Sequence, residues 1–142
     1  MPFDFFLPIS LNAEMTNLFD LVARIFISSV FLLSGINKIF NYGSTVTWME
    51  GFGVPGFLLW PTIVLEILLP IFIIIGYKTQ LSAIFLAIFC IATALIFHFD
   101  LENQMQVTAL LKNFGLAGGF IFIAISGPKD WAMDKTKKYV RL

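Results

Sequence analysis

An all-α integral membrane protein, a four-helix bundle within the bilayer, is the fold this chain predicts. Three observations carry that expectation. Four apolar runs, at about 18–40, 57–75, 81–99 and 108–126, each approach the ~20 residues that a helix needs to cross a hydrocarbon core. Of the 142 residues, 58% are hydrophobic and 13% charged, against about 25% charged in ordinary soluble domains. The mean hydropathy of +0.89 agrees. Residues 1–142 read as one transmembrane domain with a tail over 127–142.

Each element follows from local signals. Residues 1–16 mix phenylalanines with Pro2 and Pro8, too broken to span, and read as an interfacial lead-in. Asn17 followed by Asp20 resembles a capping box and marks a helix start. In the first span Arg24, Ser28, Phe31, Gly35 and Lys38 recur at helical spacing and share one face, polar or small except for Phe31. Residues 41–56 read as a loop, with Tyr42, Trp48 and Trp60 suited to an interfacial aromatic belt and Gly53-Val54-Pro55-Gly56 as a turn. The second span follows, then a tight connection over 76–80. The third span ends at His98. A polar loop over 100–106 leads to the fourth, which carries Lys112 and Asn113 early and a Gly115-x-x-x-Gly119 pattern that permits close helix contact. Gly127-Pro128 ends that span.

Four spans put both termini on one side of the membrane, together with Lys78, Lys129, Lys135, Lys137, Lys138 and Arg141. Only Lys38 and Lys112 fall on the other side. The positive-inside rule then places both termini in the cytoplasm. The first apolar run has no basic segment before it, so a cleavable signal peptide is not expected.

Composition narrows the function. A net charge of zero without a basic stripe predicts no nucleic-acid partner. One cysteine, Cys90, excludes a Cys-x-x-Cys redox pair, and one histidine, His98, excludes bis-histidine haem and the usual zinc sites, so no metal site is expected.

Glu66 is the only charge in the second span. A lone carboxylate near mid-membrane costs about 2.5–3.5 kcal/mol on insertion scales, so it needs a partner. Pro70 removes the hydrogen bond to the carbonyl of Glu66, placing a second acceptor at that level. Arg24 is long enough to reach Glu66 if their helices are neighbours, and pairing would keep the carboxylate ionised. Lys38, His98 and Lys112 come to the far ends of three spans. The sequence therefore predicts an outward-opening pocket between the first, third and fourth spans, floored by Glu66. Glu66 and His98 are the candidate catalytic residues; Arg24, Lys38, Lys112 and Asn113 are the candidate ligand- or cofactor-binding residues. Two plainer readings stay open beside this one. Arg24 and Glu66 would equally serve as a clamp fixing helix register, and each lysine alone would snorkel to head groups.

The ordered set Arg24, Phe31-x-x-x-Gly35-x-x-Lys38, Gly53-Val54-Pro55, Glu66, Gly76-Tyr77-x-Thr79, Ala94-x-x-Phe97-His98, Lys112-Asn113, Gly118-Gly119 and Gly127-Pro128 resembles the DoxX family of small four-helix membrane proteins. The match runs from about residue 18 to 134. Gln80 stands where the family often has arginine, and Lys129 and Ala132 replace the small and hydroxyl residues usual before Asp134. The resemblance implies a bacterial inner-membrane location and a link to redox chemistry, since some relatives look like membrane subunits of quinone-reducing oxidoreductases such as thiosulfate:quinone oxidoreductase, and others are tied to redox-stress complexes. The expectation is a quinone-interacting subunit or an oxidoreductase anchor. It has no intrinsic cofactor. A quinone or small anionic ligand, membrane lipid, an oxidoreductase subunit and a second copy of the chain are the candidate partners. A small-solute or proton-coupled transporter, or a non-catalytic scaffold or assembly factor, is the alternative.

Overall fold

The computed structural model describes residues 11–134. Five α-helices follow in order: α1 (Ala13–Phe40), α2 (Tyr42–Gly51), α3 (Leu59–Ile75), α4 (Thr79–Phe97) and α5 (Gln104–Ser126), with a 3-10 turn over Gly56–Leu58 leading into α3. Among the described residues there is no strand. The four long helices are long and apolar enough to cross a membrane.

Local chemistry accounts for the boundaries. Asn12, not Asn17, caps α1: its side-chain oxygen accepts the Met15 N–H at 2.8 Å. The helix thus begins before the predicted start, and Asn17 and Asp20 lie inside it, where they bind another segment. The expected loop over 41–56 contains α2. Its Ser44, Thr45 and Thr47 hydroxyls donate to carbonyls within the chain's own preceding turn, so a polar ten-residue helix forms without an apolar stripe to announce it. Gly53 takes a positive φ of 76° in the turn that follows. Pro70 lies buried inside α3, which continues to Ile75.

The packing is that of a membrane protein: the outside is apolar, and the polar groups of the spans are turned inward beside an apolar core. Phe26, Leu33, Phe40, Phe122 and Ile125 are exposed, whereas Arg24, Ser28 and Glu66 are buried. α1 lies along α3, α4 along α5, and α3 touches α4. At the centre Phe31 meets Phe120 edge-on at 5.4 Å and Phe89 at 6.4 Å. Ala83, Ala87 and Cys90 keep α4 slim enough to pack closely around them. A second cluster, Met49, Leu59 and Ile63, fastens α2 to the start of α3, with Tyr42 against Trp60. Trp48 stacks on Phe97 at 4.5 Å, so α2 also covers the end of α4.

The opposite end of the bundle is closed by residues 127–134. The Lys129 N–H donates to Asp20 at 3.1 Å and the Asp130 N–H to Asn17 at 3.2 Å. Met133 N–H donates to the Ile75 carbonyl at the end of α3. The Asp134 carboxylate accepts the N–H groups of Lys78 and Thr79 at 2.9 and 2.8 Å and so caps α4. Partial burial pushes the Asp134 carboxyl up, but these N–H donors and the Arg24 charge outweigh it and hold it below its ordinary value. Lys78 has a positive φ of 45°, held by that cap. Gln80, the departure from the resembled pattern, donates to the Ala124 carbonyl at 2.7 Å and ties α4 to α5.

Gly35 sets the close approach of α1 to α3. A Cβ at Gly35 would lie 2.9 Å from Ile67 Cγ1 and 3.2 Å from Glu66 Cβ. Gly35→Val is therefore expected to destabilise the protein by about 1–3 kcal/mol, the range for overpacking. The control is Gly43→Ala, at a site with nothing within 4 Å. Thermal melts in detergent check it: equal stability of the two variants would show that α1 and α3 do not need this approach.

Candidate functional site

The site grows from three residues on two helices. Ser34 and Lys38 are one turn apart on α1, and Gly35 between them brings α3 in at Glu66. Lys38 Nζ donates to both carboxylate oxygens of Glu66, at 3.0 and 2.9 Å, and to Ser34 Oγ at 2.6 Å. Ser34 Oγ in turn donates to Glu66 Oε1 at 3.4 Å. The Glu66 side chain is 4% exposed and that of Lys38 21%, so the pair is approached from the Lys38 side. Such a unit presents a cation to an oxygen-rich group and a carboxylate able to exchange a proton beside it.

Arg24 does not pair with Glu66, which corrects the sequence expectation. Glu66 stands level with Gly35, about 16 Å along α1 from Arg24 at ~1.5 Å per residue, beyond the reach of an arginine side chain. Arg24 instead points to the end of α3. Its Nη1 donates to the Ile73 and Ile74 carbonyls at 3.0 and 2.6 Å, and its Nη2 to the Trp131 carbonyl at 2.6 Å. Its Nε donates to Asp20 Oδ2 at 2.9 Å. Helix C-termini carry unsatisfied carbonyls and the negative end of the dipole, and a guanidinium fits both. Arg24 is a structural knot, separate from the Lys38–Glu66 pair.

The remaining candidates form no hydrogen bond with one another or with Lys38 and Glu66. His98 is the C-cap of α4, and its Nδ1 lies 2.8 Å from Gln106 Oε1 in the first turn of α5. Lys112 is exposed on α5 and makes no hydrogen bond or ion pair with another described residue. Asn113 is half-buried, its Nδ2 donating to the Ala109 carbonyl at 2.9 Å. The cavity found at this end, about 410 Å³, is lined by Asn37, Asn41, Ser44, Thr45 and Trp48, from α1, α2 and the residue joining them. The wall expected from the third and fourth spans is not part of it. Among the described residues, no group of three or more His, Cys, Asp or Glu side chains could hold a metal ion.

Sequence reasoning missed Ser34, Asp20, Asn17, Gln106 and Asp134. Two of these carried a readable signal: Ser34 and Asp20 each precede their basic partner by four residues, the spacing of helix neighbours.

Four helices long and apolar enough to cross a membrane, two of them joined by a lysine–glutamate pair, define the chain as an integral membrane protein. It belongs to the DoxX family, whose model matches residues 19–99, the stretch that carries Arg24, Lys38, Glu66 and His98. The chain is 37% identical over 115 residues to the inner membrane protein YqjF of Escherichia coli K12, covering 81% of this chain and 88% of that protein. It is 30% identical over 122 residues to the inner membrane protein YphA of the same organism, covering 81% of this chain and 87% of that one. No solved structure gives a significant match. With these relatives and four spans, the chain is placed in the bacterial inner membrane.

A double-mutant cycle in thermal stability separates the two basic residues. Lys38→Met and Glu66→Gln are expected to couple by at least about 1 kcal/mol, and Arg24→Met and Glu66→Gln to add within about 0.5 kcal/mol. Additivity for the first pair, or coupling for the second, would contradict these contacts.

Proposed function

We propose that the chain is the membrane subunit of a redox system and that Lys38 and Glu66 bind and protonate, or deprotonate, a quinone head group. The observation that carries this reading is the ion pair itself: a buried Glu66 carboxylate held at 2.9 Å by Lys38, whose side chain is 21% exposed, between two helices long and apolar enough to cross a membrane. Intramembrane ionisable groups are expensive and mark ligand or proton paths by default. A quinone carbonyl accepts a hydrogen bond from an ammonium. Its two-electron reduction consumes two protons, and oxidation of the quinol releases them. Lys38 would orient the head group, and Glu66 would hand a proton to its oxygen or take one from it. Electrons would come from a partner oxidoreductase chain, which the same subunit would anchor. His98, tied to Gln106, and Lys112, exposed on α5, stand outside this unit.

Orientation completes the proposal. With Lys78 and Lys129 at the end closed by residues 127–134, the positive-inside rule puts that end in the cytoplasm. Reporter fusions after Glu102 and after Leu142 are expected to report opposite sides, and a shared side would overturn this topology.

The binding claim is tested with a short-chain quinone analogue in detergent. Lys38→Gln is expected to weaken binding on the order of tenfold, in line with ~1.5–3 kcal/mol for a hydrogen bond to a charged group. Lys112→Gln is expected to bind like the parent. Absence of binding to the parent, or equal binding by all variants, would favour the scaffold reading over the redox one.

A further inference from the structure

The elbow where α1 passes into α2 holds a cavity of about 410 Å³, lined by Asn37, Asn41, Ser44, Thr45 and Trp48. That size lies within the range of about 300–1,000 Å³ usual for small-molecule sites. None of the lining residues is charged, and neither Lys38 nor Glu66 is among them. Their hydrogen bonds interlock around Asn41. Its Nδ2 donates to the carbonyl and to Oδ1 of Asn37, at 3.0 and 2.9 Å. The Ser44 and Thr45 hydroxyls both donate to the Asn41 carbonyl, at 3.0 and 2.8 Å. These bonds fix the side chains and leave a definite remainder. Asn37 Nδ2 keeps its hydrogens, Asn41 Oδ1 keeps its lone pairs, and the Ser44 and Thr45 oxygens, their hydrogens spent, are left as acceptors. None of these remaining capacities is taken up by another described residue. Shaping the helix junction uses only the committed atoms and accounts for none of the remainder.

We infer that the elbow cavity is a binding site for an uncharged, polyhydroxylated ring, the chemistry of a sugar. It does not depend on the reading of the Lys38–Glu66 pair. With no charge in its lining, the cavity offers an ionised ligand no counter-charge. Its acceptors, set beside one amide donor, call for ligand groups that donate as well as accept. A hydroxyl does both, whereas a quinone carbonyl only accepts, so this site and the one proposed at Lys38 and Glu66 select different groups. Trp48 supplies the apolar wall. Its indole stacks on Phe97 at 4.5 Å with 25° between the planes and meets Phe52 at 5.1 Å, so the ring is held, yet the residue stays 46% exposed. The C–H face of a sugar ring fits such a surface, which combines an apolar body with a polar edge. Tyr42 and Trp60 pack together at the same end at 5.4 Å, and aromatic residues of this kind sit at head-group level. A site there meets two sources of the same chemistry, the head of a glycosylated lipid and a sugar in the aqueous phase.

The test uses the full chain in phosphatidylcholine nanodiscs, with Trp60→Phe and Trp131→Phe leaving Trp48 as its one tryptophan. Methyl β-glucoside in solution, or a monoglucosyl diacylglycerol in the disc, is expected to change the Trp48 emission saturably. A response to the first assigns the site to a soluble sugar, and a response to the second alone assigns it to a lipid head group. Asn37→Asp keeps the Oδ1 that holds Asn41 and removes the free amide donor. It is expected to weaken binding on the order of tenfold and to leave the thermal melt unchanged. Ser29→Ala, whose lost hydroxyl bonds only the Phe26 carbonyl, is expected to bind like the parent. A second arm uses the unaltered chain and calorimetric titration. The fully O-methylated glucoside accepts hydrogen bonds but cannot donate them, and it is expected not to bind. No saturable response to either glucoside, equal binding by Asn37→Asp, or equal binding of the methylated ring would overturn the assignment.

Discussion

The ammonium of Lys38 on the carboxylate of Glu66 fixes how α1 sits against α3, and the rest of the bundle follows from that register. A charge in the apolar part of a membrane has no water to fall back on, so each partner is held where the other is. Gly35 permits the approach, Ser34 supplies a further hydrogen bond, and Phe31 one turn away becomes the centre of the aromatic core. Sliding α1 by a single turn would separate the charges and move Phe31 away from Phe89 and Phe120. The pair therefore links specificity of folding to the site proposed for chemistry.

The other end works by different means. Arg24 gathers Asp20 and three backbone carbonyls, and residues 127–134 supply backbone donors to Asn17 and Asp20 and an acidic cap to α4. The described residues thus have an ionic lock at each end, one of two side chains and one dominated by backbone groups. The two differ in their partners: the first joins two side chains from two spans, whereas Arg24 is spent on Asp20 and backbone carbonyls, which is why the two sites carry such different functional weight.

The spans were legible because hydropathy over some twenty residues is a strong signal that tertiary context rarely overrides. The polar face of α1 was legible for the same kind of reason, since Arg24, Ser28, Phe31 and Gly35 are all buried as their spacing required. Partner choice was not. Depth was judged helix by helix, and the register between α1 and α3 depends on a close approach at Gly35 that no single-helix pattern reveals. Lys38 looked like a helix-end lysine free to snorkel, yet α3 begins at Leu59, which leaves Glu66 only about 10 Å below that start and within reach of a lysine. α2 escaped notice because hydroxyl-to-carbonyl bonds and aromatic contacts, rather than an apolar stripe, hold it. Contacts made by residues 127–134 lie more than a hundred residues away in sequence from Asn17 and Asp20, and nothing local announces them.

That last connection bears on how the protein is made. Ribosomal synthesis delivers α1 to the membrane long before Trp131, Lys129 and Asp134 exist. Until then Arg24 has Asp20 and, once α3 arrives, the carbonyls of Ile73 and Ile74, but one of its nitrogens is without its Trp131 acceptor, and the first turn of α4 lacks its acidic cap. The membrane therefore holds a bundle with its spans inserted but its end unsealed until residues 127–134 are translated. Incomplete chains expose a partly unsatisfied guanidinium and bare helix N–H groups at that end.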